Sequence, residues 1–182
     1  MIEGVICNTI KTIVKLYSED FKYYKKFKPI DWSEVETWGF EELEAAKPEY
    51  INTYFNQQRF FDNAEWMPWA KDIIEKLSEI YDIKVCSAGY YPNLVGKVNW
   101  LEKNMPYAEF IGVNFKNYSD KSHVDMSDGI FIDDSAKNLI TSNAQTKICF
   151  GDVYEWNKDW DGTRCANWHD VWELIGEANK EG

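Results

Sequence analysis

Arginine is almost absent from this sequence: Arg59 and Arg164 are the only two in 182 residues. With 20 basic and 31 acidic side chains, the formal net charge is −11. A surface of that sign lacks the basic footprint that nucleic-acid backbones require, so broad nucleic-acid binding is excluded. A small phosphorylated ligand is not excluded, because a bound cation and one or two lysines can invert the field locally. Histidine is equally scarce, and His123 and His169, far apart in the chain, read as surface residues. Cys7, Cys86, Cys149 and Cys165 show no CxxC spacing, which argues against a zinc site or a disulfide frame and for the reduced thiols of a cytoplasmic protein. No apolar run approaches the ~20 residues of a membrane-spanning helix. The N-terminus has neither the basic nor the apolar region of a signal peptide.

Apolar material is otherwise ample. Hydrophobic residues make up 45% and aromatics 16% of the chain, with nine Trp, enough for one domain with a full core and a small insert. The most informative stretch is Asp128–Ser135. Ile130, Phe131 and Ile132 form a short apolar run that ends in Asp133 and Asp134. That pattern predicts a buried strand whose carboxyl end carries two adjacent carboxylates. Ligands of open parallel sheets bind at such ends. Paired carboxylates repel unless a proton or cation is shared, and Mg²⁺, a hard oxygen-seeking ion, is the simplest resolution; the alternative reading is a plain strand end followed by an Asp N-cap.

Read in order, the chain begins with a short apolar run over 2–7. Asn8 or Thr9 then caps a helix with Ile10, Ile13, Val14 and Tyr17 at helical spacing. From Asp20 to about Glu65 the pattern changes. Lys and aromatics interleave, Pro29 and Pro48 interrupt, and short helical pieces are expected over 33–46 and 48–57. This stretch has no strand pattern and reads as a helical insert. A helix is expected from Pro68, then a strand over 82–87 ending at Ser87. A second helix follows with Leu94, Val95, Val98 and Leu101 on its buried face, which would turn Lys97 to solvent. Further strands are expected over 110–115 and 146–150, a short helix over 136–142, and a last helix from Trp168. Strands alternating with helices predict an α/β fold with a parallel, Rossmann-like sheet.

Four segments together, Arg59-Phe-Phe-Asp62 leading to Met67-Pro68, Tyr81–Ser87, Asp120-Lys121-Ser122 and Ile130–Asp134, resemble the cytosolic type C 5′(3′)-deoxyribonucleotidases of the haloacid-dehalogenase-like superfamily. The resemblance covers nearly the whole chain. It implies a core over 1–16 and 66–182, a helical cap over 17–65, and Mg²⁺-dependent removal of phosphate from deoxynucleoside monophosphates. It also implies roles for residues. Ser87, with Ala88, binds the phosphoryl group. Lys121 offsets the charge on nucleophile and phosphate. Asp133 and Asp134 hold the metal. Trp38, Phe60 and Phe61 are candidates, with Trp32 and Tyr54, for the cap aromatics that close over base and sugar, the other reading of each being ordinary cap core. A homodimer is compatible with this resemblance.

The same alignment exposes a departure. The family's first motif is an apolar strand ending in Asp-x-Asp-Gly-Val. Gly4-Val5 fixes its register, so Glu3 falls on the acid/base and Met1 on the nucleophile. A thioether does not attack phosphorus and is a poor Mg²⁺ ligand. The extra methylene of Glu3 shifts its carboxylate by about one bond length where geometry carries much of the rate. Impaired turnover is therefore expected, with a nucleotide- or phosphate-binding protein as the alternative. The strand before the motif, central in the family's sheet, is also missing, which should leave a gap. Either the chain is incomplete relative to an active ancestor, or residues 2–6 supply a shortened central strand, and the latter is the expectation. A receiver-like signalling domain shares the acidic pair and Lys, but its acidic pair belongs after the first strand.

Overall fold

The structure, a computed structural model, describes residues 4–177. Asn8 opens the first helix, α1 (Thr9–Phe21), by accepting the Lys11 N–H at 3.0 Å. The helix buries Ile13, Leu16 and Tyr17 and runs unbroken through position 17, where the cap was expected to begin. After it the chain turns tightly: a 3₁₀ turn at Trp32–Glu34, helix α2 (Pro48–Thr53), a second 3₁₀ turn at Tyr54–Asn56, and helix α3 (Gln58–Asp62). The helical piece expected over 33–46 does not extend beyond that first turn. Val35 is extended and Phe40 has φ of +52°, and neither conformation continues a helix. Asp20 of α1 staples the segment down. It takes two hydrogen bonds from the Arg59 guanidinium and one from Tyr54 Oη. The Arg59 bonds hold its carboxyl below the ordinary range.

From α4 (Ala70–Ser78) onward the elements alternate as expected: β1 (Lys84–Gly89), α5 (Tyr91–Asn104), β2 (Glu109–Asn114), β3 (Ile130–Asp133), α6 (Ala136–Thr141), β4 (Thr146–Phe150), β5 (Arg164–Cys165) and α7 (Trp168–Val171), which continues into a π-type turn at Trp172–Gly176. All strand pairings are parallel. The fold is α/β with helices flanking parallel strands, as the sequence predicts. Helix α4 begins at Ala70, two residues after Pro68, because Trp69 is left-handed with φ of +61°. Strand β5, two residues long, is too short to show a period.

Helix α5 is rotated from the expected face. It buries Asn93, Gly96, Lys97, Trp100 and Leu101, whereas Val95 is exposed. Phe61 explains the rotation. A Cβ at Gly96 would lie 2.2 Å from the Phe61 ring, so only glycine lets the helix seat against α3. Lys97, expected in solvent, is buried with it, and its Nζ donates to the Ala88 carbonyl at 2.7 Å.

The strand expected over 2–6 is not formed in its described part. Gly4, Val5 and Ile6 make a turn, with Gly4 N–H donating to the Cys7 carbonyl at 3.0 Å. The next residues pair backward: the Met67 N–H donates to Ile6 and the Asn8 N–H to Glu65. Positions 2 and 3 lie outside the described residues. Among the described residues the strands form two separate sheets, β1-β2 and β3-β4-β5. One apolar cluster joins both sheets to the insert, through Val5, Tyr54, Phe60, Ile74, Val85 and Ile148. Trp168 adds a direct tie by donating Nε1–H to the Val5 carbonyl at 2.9 Å.

Candidate active site

The site gathers at the carboxyl ends of β1 and β3. Ser87, near the end of β1, is fully buried, and Ala88 beside it is half-buried with its carbonyl engaged by Lys97. Across the gap, Asp133 closes β3 with no exposed surface. Lys121, from the loop between β2 and β3, is equally buried, and its Nζ sits 2.5 Å from Asp133 Oδ2. Burying two charges is expensive unless the pair is close and its other lone pairs are used. Here they are used. Asp133 Oδ1 accepts the Ser135 N–H at 2.9 Å and the Asn138 amide at 3.1 Å. Ser135 also caps α6, by accepting the Asn138 N–H. The Cys86 thiol, within reach of the charges of Lys121 and Asp133, is pushed up chiefly by burial.

Asp134 is in the opposite condition. Its Oδ1 is buried and, among the described residues, has no hydrogen-bond partner. The residue as a whole keeps some exposed surface, so this is a carboxyl at the lip of the site with one oxygen turned inward. Burial first, and the neighbouring charge of Asp133 second, push its pKa up to about 7. Gly4 presses against it: with φ of +81°, a Cβ there would stand 2.7 Å from Asp134 Oδ2. Gly4-Val5, the register mark of the first motif, thus does lie beside the acidic pair.

Among the described residues no three His, Cys, Asp or Glu side chains converge on a metal position. The donor chemistry nonetheless fits a hard cation. Asp134 presents an orphaned carboxylate oxygen that a positive charge would stabilise, and oxygen ligands with retained waters suit Mg²⁺. Asp133 is already neutralised by Lys121, so Asp134 is the member of the pair with capacity to spare.

The remaining residues singled out from sequence scatter. Glu3 and Met1 lie outside the described residues. Phe60 and Phe61 are 2% exposed, packed against Phe55 and each other, so their rings sit in the interior rather than on a ligand-facing surface. Trp38, unlike these two, presents surface, at 48%. It stacks on Phe55 and meets Trp156 edge-on, with centroids 5.4 Å apart. His123 stacks on Tyr118, and His169 packs at a tilt against Trp69, both on the exterior.

Four contributors escaped sequence reasoning. Lys97 was hidden by the misassigned helix face. Asn138 and Asn157 are polar residues in polar stretches and carry no pattern. Asn157 is nonetheless fully buried and donates to the carbonyls of Asp134 and Asp152, while Arg164 clamps its carbonyl. Trp156, next to Asn157, carries this loop to Trp38. The only available signal was the density of Trp around it.

The comparisons agree with this geometry. The family described as "5′ nucleotidase, deoxy (Pyrimidine), cytosolic type C protein" matches residues 1–181. A 5′(3′)-deoxyribonucleotidase of Clostridium acetobutylicum is 28% identical over 161 residues, covering 87% of this chain and 82% of its own. A protein of Chlorobaculum tepidum, provisionally given the same name, is 24% identical over 189 residues, covering 96% of this chain and 87% of its own. The parallel sheets, the buried Lys121–Asp133 pair beside Asp134, and a match spanning the whole described chain place this protein in the cytosolic type C deoxy-(pyrimidine) 5′ nucleotidase family.

Proposed function

We propose that this chain keeps the phosphate-binding half of a 5′(3′)-deoxyribonucleotidase site and binds deoxynucleoside monophosphates with strongly reduced turnover. The observation that carries this reading is the buried Lys121–Asp133 pair beside the orphaned Asp134 oxygen, at strand ends that also present Ser87. Phosphoryl transfer is mostly positioning and charge neutralisation, and these residues supply both. The Ser87 hydroxyl donates to a phosphoryl oxygen. Lys121, fixed by Asp133, sets a positive charge against the anion. Asp134, with Asp133 behind it, would hold Mg²⁺, which would supply charge neutralisation for the phosphate oxygens. Asn157 holds the Asp134 main chain in place. Trp38 offers the exposed ring on which a base can stack.

The reduced turnover rests on the register read from Gly4-Val5, which assigns Met1 to the family's attacking carboxylate, and no thioether forms a phosphoenzyme. Calorimetry with dUMP and Mg²⁺, run beside a phosphate-release assay, tests both parts. Saturable binding with negligible release is expected. Release at the level of the Clostridium acetobutylicum relative would overturn the reduced turnover, and absence of binding would overturn the site.

A further inference from the structure

The loop between β4 and β5 touches both the acidic corner and the insert. Its Asn157 is fully buried, and the side-chain amide donates to the carbonyls of Asp134, at 3.2 Å, and Asp152, at 3.0 Å. Asn157 Oδ1 accepts the Tyr154 N–H at 2.9 Å, and the Arg164 guanidinium holds the Asn157 carbonyl. With its side chain and its carbonyl both committed, this residue ties the loop firmly to the main chain of Asp134. Trp156, one position earlier, is half-buried, and its indole meets Trp38 of the insert with ring centroids 5.4 Å apart and planes at 62°. Tyr154 lies flat against that indole, with 4.4 Å between centroids and 4° between planes. Its phenol is pushed up first by burial, then by the charges of Asp152 and Asp134. A row of rings thus runs from the insert to the acidic corner.

Trp38 is held from two directions. Phe55 stacks on its ring, with planes 29° apart. Phe55 is in turn anchored to the β1 half of the molecule, because its carbonyl accepts the Asn93 amide at 2.8 Å. Asn93 packs on Gly89 at the end of β1, where a Cβ would stand 2.0 Å from Asn93 Oδ1. The backbone beside Trp38 is fixed by Glu42, whose carboxylate accepts the Glu36 and Thr37 N–H groups. Backbone and one stacking partner do not choose among the staggered rotamers open to a surface side chain. Trp156, meeting the ring at an angle, supplies the second contact. It does not lie flat on Trp38, which keeps 48% of its surface exposed.

We propose that Trp156 is a positioning residue: it holds the Trp38 indole at a fixed reach from Ser87, Lys121 and Asp134, and so makes the site select phosphate esters that carry a planar base over those of the bare sugar. This role rests on the phosphate site proposed above. Trp156 acts through Trp38 and does not itself touch the ligand. Because Trp156 and Asn157 are adjacent in one tied loop, the base-stacking ring and the acidic corner keep a constant separation. A ring free to change rotamer must be ordered when the base arrives, and that ordering weakens binding. Holding it in advance is worth on the order of two- to tenfold in affinity for a base-bearing ligand. A ligand without a base gains nothing from it.

Calorimetry at one fixed Mg²⁺ concentration tests the proposal with two ligands, dUMP and 2-deoxyribose 5-phosphate, which lacks the base. The unaltered protein is expected to bind dUMP about tenfold more tightly than the sugar phosphate, the scale of one aromatic contact. In Trp156→Leu that preference is expected to shrink at least about threefold, while affinity for the sugar phosphate stays within about twofold. Trp156→Phe keeps a ring and is expected to retain most of the preference. Trp38→Ala/Trp156→Leu is expected to bind dUMP no more weakly than Trp38→Ala alone, because a residue that acts through another adds nothing once that other is gone. Equal weakening for both ligands in Trp156→Leu would reduce Trp156 to structural support and overturn the proposal. An unchanged preference, or losses from Trp38→Ala and Trp156→Leu that add, would also overturn it. Unaltered protein that binds both ligands equally overturns it and leaves the phosphate site standing. Unaltered protein that binds neither ligand overturns both.

Discussion

Lys121 Nζ and Asp133 Oδ2 meet at 2.5 Å with neither side chain exposed to solvent. The pair joins the loop after β2 to the last residue of β3, so it fixes the position of the site's cation relative to the sheet. Removing one partner leaves the other charged and buried, at a cost of about 3–5 kcal/mol. Lys121→Met is expected to lower stability by that amount in urea denaturation. The double variant Lys121→Met/Asp133→Leu is expected to recover a large part of it. A double variant as unstable as the sum of the singles would show that the pair is not the isolated unit described.

Asp134 predicts an unusual pH dependence. Its pKa is raised from 3.8 to about 7, so the folded protein holds a proton that the unfolded chain has already released near pH 4. The stability linked to that proton is fully present below the unfolded value and is lost as pH rises through about 7. Asp134→Asn is therefore expected to flatten the thermal-midpoint profile between pH 5 and 8. Mg²⁺ is expected to raise the wild-type midpoint more at pH 8 than at pH 5. Identical profiles for the two proteins would refute the assignment.

Gly4 predicts a coupled effect. Gly4→Ala adds a methyl 2.7 Å from Asp134 Oδ2 at a φ of +81°, and such backbone strain costs roughly 1–3 kcal/mol. Because the clash falls on the carboxylate, the variant is expected to shift the pH at which Asp134 releases its proton as well as the melting temperature. Loss of stability alone, with the pH profile unmoved, would separate Gly4 from the acidic pair.

Trp38 and Phe60 are expected to divide by role. Phe60→Ala hollows the interior and costs about 3–5 kcal/mol. Trp38→Ala removes a half-exposed ring. It is expected to cost about 1 kcal/mol in stability while weakening dUMP binding roughly five- to tenfold, the scale of one lost aromatic contact. Comparing chemical denaturation with calorimetry for the two variants decides the matter.

The sequence made the acidic strand end visible because Ile130–Ile132 followed by two Asp is a local pattern, and local patterns survive in the fold. The same holds for the Asn8 cap and for the boundaries of β4. What could not be read depends on neighbours distant in the chain. The face of α5 is chosen by Phe61, 35 positions before Gly96 in the sequence, so hydrophobicity along the helix alone pointed Lys97 the wrong way. The segment 33–46 has helical composition, yet Phe40 is buried from a left-handed position that no local preference favours. Asn157 owes its role to carbonyls supplied by Asp134 and Asp152. The turn at Gly4–Ile6 reflects pairing with Glu65–Met67, which outweighs the apolar character of the run.

The division of the strands into two sheets also bears on how the chain folds. β1, α5 and β2 come from one continuous stretch, and β3, α6 and β4 from another, so each sheet's principal contacts are local in sequence. Local contacts form early because they close short loops. Joining the halves, by contrast, depends on remote pairs such as Val5 with Trp168, 163 positions apart. Two units that form quickly and separately, then dock late through the chain's opposite ends, make the docking step the slow one. Trp168 fluorescence is placed to report it.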